Sequence, residues 1–520
     1  MTQHVKSLFI LQLLLVEMIS SDLFRFCNFP LLTEEGLREL IEFHGLTQHS
    51  HDVSDYDFFN AACKNERVTE GIIRYLLEYF PEAATATAEG GWSPLHHACY
   101  NPNVTLSIIQ CLLEAAPDSV RSEDDDGWTP LHVLCKNEEV DEATSMQILN
   151  FLIAKYPEAV RHADNDGCLP IHFAAERFQT EFCRLLIETY PGSEKITDAN
   201  GALLLHYACS TGSLATVEYC FDLYPNAILH QSPVGSYPIF IAIAGLTERD
   251  NPAVAVEIVK FFLDCDPNVK LQKCQGESLL SIACWWGYND SNIDSAIEVI
   301  KAIYDSYPEA IEKDKIESNI HHYHQQVQAF INSELVYARQ AEDRRLMTTP
   351  DENGRLPLHT ALQNNVRLGS IKLLAKGNPL AVQSPDNGGV IPLHIACQHH
   401  DSTDVVRYLV ELDTMTLDIV DRDGNTALHY ACCGAKYDMI AMLLEDYGAV
   451  SVSRQNYEQK LPIEVLWESN EVDRDGLEYV ESIFRLLKAY PETVMMEMTK
   501  EQANAGGSSP QSGKKRKYGE

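Results

Sequence analysis

Apolar residues in this chain come in short stripes, grouped in pairs and separated by polar turns. In the second stripe of each pair the spacing is three and then one residue, so neighbouring turns of one helix face are filled. It reads Ile73, Leu76 and Leu77; Ile108, Cys111 and Leu112; Ile148, Phe151 and Leu152. It returns as Ile258, Phe261 and Phe262; Val406, Leu409 and Val410; Ile440, Leu443 and Leu444. The first stripe of a pair is shorter and opens on a proline at Pro94, Pro130, Pro170, Pro357 and Pro392, a residue suited to the first turn of a helix. Second stripes mostly end at a proline, among them Pro81, Pro117, Pro157, Pro191, Pro225, Pro267, Pro308, Pro379 and Pro491. The pattern predicts an all-α chain of helix pairs.

The pairs carry a repeated phrase. GWSPLHHAC begins at Gly91, GWTPLHVLC at Gly127, GCLPIHFAA at Gly167 and GALLLHYAC at Gly201. Weaker copies begin at Gly235 and Gly276, and clear ones return at Gly354, Gly389 and Gly424, with a degenerate copy from Gln459. Successive glycines are 36, 40, 34, 34, 41, 78, 35 and 35 residues apart, and 78 is close to two periods. The phrase, the paired short helices and the period resemble the ankyrin repeat over Asp57 to Met495. The resemblance implies an α-solenoid of at least ten units with short β-turn fingers, and a protein-binding role. Two features depart from the family pattern: the period exceeds the usual 33 or so residues, and second helices end in text such as Tyr156-Pro157-Glu158-Ala159. Longer second helices or longer turns would account for both.

This organisation gives an apolar segment over 1–30, a first repeat block over 31–310, a helical insert or degenerate repeat over 311–350, a second block over 351–500 and a tail over 501–520. Within 311–350, Ile320, Tyr323, Val327 and Phe330 step like a helix face, and the double spacing favours a decayed or lengthened repeat. At the front, Leu8–Ile19 follows Lys6 and precedes Ser20 and Ser21, the outline of a secretory signal. Gln12 and Glu17 interrupt it, and a helix packed on the first unit, with Glu17 solvated, is the competing expectation. The tail is rich in Gly and Ser and carries Lys514, Lys515, Arg516 and Lys517, a nuclear-import candidate whose alternative is a solvating charge run.

Composition narrows the function. The 520 residues are 45% hydrophobic and 22% charged, as in folded proteins, and the net charge of −36 argues against coating nucleic acid or anionic membrane. No apolar run reaches the length of a membrane-spanning helix. Seven of the 15 cysteines end the Ala-Cys phrase and no C-x-x-C pair occurs, so buried free thiols in a reducing compartment are expected, cytoplasmic or nuclear. His96, His132, His172, His206, His359, His394 and His429 share one repeat position, which makes them structural; the family resemblance implies bonds within and between turns, helped by Thr129 and Thr426. His321, His322 and His324 are a ligand-like cluster, set against a solvated helix face. Phosphate-loop, nucleotide-binding, nucleophile-elbow and kinase phrases are absent. Neither catalysis nor a cofactor or metal is expected.

The expected function is a non-enzymatic scaffold or adaptor, monomeric, binding a protein partner with basic patches and no nucleic acid. The alternative is a regulatory subunit that recruits an enzyme through its non-repeat helices. The resemblance implies that partners meet the concave face of the stack, at the finger tips and the inner face of the first helices, where the places around each glycine and just beyond the Ala-Cys phrase vary. Those places hold Trp92, Tyr100, Asp125, Asp126, Trp128, Lys136, Asn165, Asp166 and Arg177 in the first block, and Arg355, Arg422 and Asn425 in the second. Trp92 and Trp128, each following a glycine, are the candidate anchors, set against the alternative that each indole packs on its neighbouring turn.

Overall fold

The computed structural model describes residues 17–46, 56–177, 180–311, 319–448, 451–469 and 476–490. The apolar stretch 8–16 and the basic run 514–517 lie outside them. The chain divides into two compact units at Ala302/Ile303, inside the helix Ile293–Ser306.

The first unit is built from helix pairs in the predicted order. First helices include Asp57–Lys64, Pro94–Tyr100, Pro130–Lys136, Pro170–Arg177, Leu204–Thr211 and Pro238–Glu248. Each is followed by a second helix, from Glu70–Tyr79 through Leu106–Ala115 and Glu142–Lys155 to Ala253–Cys265. Ile73 and Leu76, Ile108 and Leu112, and Ile148 and Leu152 are buried, whereas Leu77 and Phe151 are half-buried. The prolines that end second helices also begin something: Pro81, Pro117, Pro157 and Pro225 each open a five-residue 3₁₀ helix. The residue before each is driven out of the helical region, as Tyr156 is at φ −144°, ψ 83°. Ala159 and Val160 of the Pro157 turn are buried, so these turns belong to the core. The longest periods go with longer second helices, 14 residues in Glu142–Lys155 and 13 in Ala253–Cys265 against 10 in Leu106–Ala115.

The recurring tyrosine before the proline also has a role. Arg121 lies over the Tyr156 ring at 4.9 Å, Arg161 over Tyr190 at 4.9 Å and Lys195 over Tyr224 at 5.7 Å. A cation from one turn thus caps the aromatic ring of the next repeat, a contact that contributes about 0.5–1 kcal/mol at an exposed site.

A repeat without the phrase opens the unit. Asn137 Nδ2 donates to Cys99 O (2.9 Å), Asn101 Nδ2 to Cys63 O (2.9 Å) and Asn65 Nδ2 to Cys27 O (2.8 Å). Cys27 is therefore one period before Cys63, on a helix over 17–27 that pairs with Glu34–Phe43. Ser20 and Ser21 lie within that helix, Ile19, Leu23 and Cys27 are buried, and Glu17 is exposed.

The second unit follows the same plan with first helices Pro357–Gln363, Pro392–His399, Ala427–Cys433 and Pro462–Glu468. Ahead of Pro357–Gln363 the same unit holds the helix Gln325–Glu342, which starts later than the spacing predicts because His324 caps it, its Nδ1 accepting from Gln326 N at 3.3 Å. Ile320–His322 is a 3₁₀ turn instead. Its buried stripe is Val327, Ile331, Leu335 and Ala338 plus the carboxyl of Glu334, a polar interruption that hides the period. Ser370 Oγ donates to Glu334 at 2.5 Å, and a Cβ on Gly377 would meet Ala341 O at 2.7 Å, both one 36-residue step apart. Gln325–Glu342 thus stands as the second helix of a repeat before Leu368–Gly377.

Candidate functional site

Most fingers are turns closed by an aspartate side chain; Ser232 and Asn456 take that place in two others. Asp124 Oδ1 accepts from Asp126 N (3.0 Å) and Trp128 N (2.7 Å), and Asp164, Asp351, Asp386 and Asp421 do the same in their own fingers. Those carboxylates are used up inside the fold. Fingers are then tied to each other through the backbone: Asp125 N donates to Gly90 O (3.0 Å), Asn165 N to Asp126 O (3.0 Å) and Ala199 N to Asp166 O (2.8 Å). In the second unit Asn387 N donates to Asn353 O, Arg422 N to Gly388 O and Tyr457 N to Asp423 O. The glycine that ends each finger permits this approach. Gly127 has φ +81°, and a Cβ there would lie 3.0 Å from Asn165 N. Gly127→Ala is therefore expected to cost about 1–2 kcal/mol, read as a lower denaturation midpoint.

Beneath the fingers the repeated histidines form a second ladder. His132 Nδ1 accepts from Thr129 N (3.1 Å), so the proton is on Nε2, which donates to Cys168 O of the next repeat (3.2 Å). His96 reaches Trp128 O (2.9 Å), His172 reaches Ile196 O (3.2 Å), His394 reaches Ile419 O (3.1 Å) and His429 reaches Lys460 O (3.2 Å). His206 and His359 keep the bond inside their own turn, to Leu203 N and Leu356 N. Burial pushes His132 down to about 3 and His206 and His394 down to about 4. All 15 cysteines are free thiols, and burial pushes Cys27, Cys99, Cys183 and Cys397 up to about 12, which keeps them protonated and unreactive.

The residues left facing outward carry the candidate site. Tyr100 is 53% exposed, with its ring edge-on to Trp92 at 5.7 Å, and Trp92 also lies 5.2 Å from His97. Asp125, Asp126, Asn165 and Asp166 are exposed at bonded finger tips, and Asn165 Nδ2 donates to Asp125 O (3.0 Å). Trp128 is half-buried against Phe173 of the next repeat, ring centres 4.9 Å apart. Lys136 Nζ is 3.0 Å from Glu176 and 5.4 Å from the Phe173 ring centre, and Arg177 is paired with Glu138. In the second unit Arg355 binds Asp386 (3.2 Å) and Gln363 (2.6 Å), Asn425 binds Asp421 (3.0 Å) and Asn456 (2.9 Å), and the Arg422 side chain is exposed. The first-unit candidates lie on neighbouring fingers and first helices, and Arg355, Arg422 and Asn425 lie in the second unit.

These fingers, the histidine ladder and the paired helices are repeated at one period along both units. A family model for ankyrin repeats matches residues 58–144, 140–228, 319–416 and 358–456. The chain is an ankyrin-repeat protein. Comparison with curated proteins gives no match. Ankyrin repeats are in general protein-interaction modules, and this family is typically non-catalytic. The family match covers Gln325–Glu342 as part of a repeat. Among the described residues no group of three or more His, Cys, Asp or Glu is arranged to hold a metal, and no helix is long and apolar enough to cross a membrane.

Phe173 and the asparagine ladder were not among the sequence candidates. Both leave a trace: Phe173 fills the variable place after the repeated histidine, and Asn65, Asn101 and Asn137 each stand two residues after the phrase cysteine.

Proposed function

We propose that this ankyrin array is a scaffold that captures a protein partner bearing a lysine- or arginine-rich segment, on the finger tips of its first unit. The observation that carries the reading is the row of exposed carboxylates, Asp125, Asp126 and Asp166, on successive tips joined by backbone hydrogen bonds beside the exposed Tyr100. The tips are held rigidly, so little order is lost on binding. Among the described residues no cation pairs with them, and their charge steers a basic segment toward the tips and sets its register. Trp92 packs on side chains of its own helix and is the cleaner anchor to test. Trp128 also joins two repeats, so Trp128→Ala is expected to lower stability by about 1–2 kcal/mol besides any effect on capture.

The test compares full-length chain with an Asp125→Lys/Asp126→Lys/Asp166→Lys variant in binding to a lysine- and arginine-rich peptide. Charge reversal is expected to weaken binding about tenfold or more, and raising salt from about 0.05 to 0.5 M is expected to weaken the wild type similarly. Equal affinity of the two proteins at low salt would remove the finger tips from the reading.

A further inference from the structure

The helix Leu477–Ala489 ends the described part of the second unit with an apolar stripe facing solvent. Leu477 is 80% exposed, Val480 56% and Phe484 64%, and their spacing of three and four puts them on one side. The opposite side is buried through Ser482 and Leu486, with Arg485 paired to Glu445 of the preceding second helix.

Comparison among the repeats says what the exposed side is for. In every earlier repeat whose second helix ends at a proline, the residue seven places before that proline is polar, as at Arg74, Gln110, Asn150, Arg184, Lys260 and Lys372. Before Pro491 that residue is Phe484. Arg74 reaches Glu114 of the next second helix at 3.4 Å, and Lys372 lies over the Tyr408 ring of the next at 5.8 Å. The place therefore faces the following repeat. Leu477, fourteen before Pro491, is likewise the one large aliphatic residue at its place; Arg67, Asn103, Thr211 and Asn365 stand there elsewhere. An end unit of a repeat array needs a polar outer face, and this one is apolar where the next unit would stack.

We propose that residues 491–500 of the same chain cover this stripe as a C-terminal strap. The segment, PETVMMEMTK, begins directly after Tyr490 and brings Val494, Met495, Met496 and Met498, while 501–520 is polar. Methionine adapts to an irregular apolar surface. Ten residues are too few for another helix pair but enough to cross one helix face. The tether keeps the segment at roughly millimolar local concentration, which favours it over any free ligand of equal affinity. A second copy is a poorer occupant: three side chains expose a few hundred Å², well under the roughly 800 Å² per partner of a stable interface.

Hydrogen exchange across 477–489 tests this in the full-length chain, with light scattering for mass. Met495→Ser/Met496→Ser/Met498→Ser is expected to speed exchange of that helix about tenfold while the protein stays monomeric, and to have little further effect in a Phe484→Ser background. Unchanged exchange in the triple variant overturns the strap, as does equal loss of protection in both backgrounds. A wild-type dimer that Phe484→Ser dissociates and the methionine substitutions leave intact overturns it in favour of a second copy. Should the triple variant unfold the last repeat, Phe484→Ser alone decides: slower or unchanged exchange relative to wild type counts against a covered Phe484.

Discussion

Lowering the pH from 7 to 5 is expected to remove about 2 kcal/mol of stability for each of His132, His206 and His394, roughly 6 kcal/mol for the three. In the unfolded chain these imidazoles take up protons near pH 6.5. In the folded chain burial holds them neutral until about pH 3 to 4. The unfolded state therefore binds more protons between those limits, so the stabilisation is present above pH 6.5 and is lost as the pH falls through that window. The geometry adds a second reason: protonating Nδ1 of His132 puts a proton where Thr129 N already donates. Relief of charge repulsion in a chain of net charge −36 acts in the opposite direction, so the histidine part is isolated by substitution. His394→Asn is the chosen variant, because Asn60 occupies the equivalent place in Asp57–Lys64. Denaturant midpoints at pH 7 and pH 5 should differ less in His394→Asn than in wild type. An equal pH dependence would mean that His394 is not held neutral by the fold.

Tyr304→Ala is expected to destabilise the second unit by about 3–5 kcal/mol, the range for deleting a large buried aromatic side chain. Tyr304 is fully buried, with its ring against Gly369, where a Cβ would lie 2.6 Å from the ring, and edge-on to Phe330 at 5.9 Å. Its hydroxyl donates to Ser370 Oγ (2.9 Å), and Ser370 in turn donates to Glu334, a carboxyl that is only 5% exposed and that burial pushes up, against the bond from Ser370. Removing the ring opens a cavity and loosens the donor that holds a buried carboxyl. Tyr304→Phe keeps the ring and the Ser370–Glu334 bond, so about 1 kcal/mol is expected. Because repeat arrays unfold in segments, the loss should appear in exchange of Gln325–Glu342 and Leu368–Gly377 before it appears in the first unit. A Tyr304→Ala protein whose midpoint moves by less than 1 kcal/mol would mean that this junction does not organise the second unit.

The periodic part of the fold was legible because repetition averages out local noise. A phrase seen once is weak; the same phrase at Gly91, Gly127, Gly167, Gly354, Gly389 and Gly424 fixes helix starts, fingers and the shared role of the histidines. Legibility failed where the repeat keeps its shape and loses its phrase. The pair 17–27 and Glu34–Phe43 has neither the phrase proline nor the histidine, and the Asn65 bonds to Cys27 O and Phe29 O reveal its register. The start of Gln325–Glu342 escapes the apolar spacing because a histidine cap and a buried glutamate break the period. The turn prolines stop the second helices, as their spacing predicts, but their second role as the first residue of a 3₁₀ helix needs the backbone to be seen.

The candidate site was legible in outline only. Position in the repeat correctly separates finger from core, so Asp125, Asp126 and Asp166 are exposed. It does not say which polar side chains are already engaged. Lys136 finds Glu176 forty residues on, Arg177 finds Glu138 and Arg355 finds Asp386, pairings that depend on how neighbouring repeats register. Trp128 is similar: its indole lies near His132 of its own helix, but Phe173 of the next repeat adds a closer cover that the phrase alone does not show.

The central claim is that the first-unit finger tips recognise a basic protein segment. Its most direct test is the affinity of the full-length chain for a lysine- and arginine-rich peptide, measured beside Tyr100→Ala/Asp125→Lys/Asp126→Lys at matched thermal stability. The predicted result is saturable binding by the wild type that weakens about tenfold or more in the variant and with rising salt. Binding that is the same in both proteins, or stronger in the variant, would contradict it.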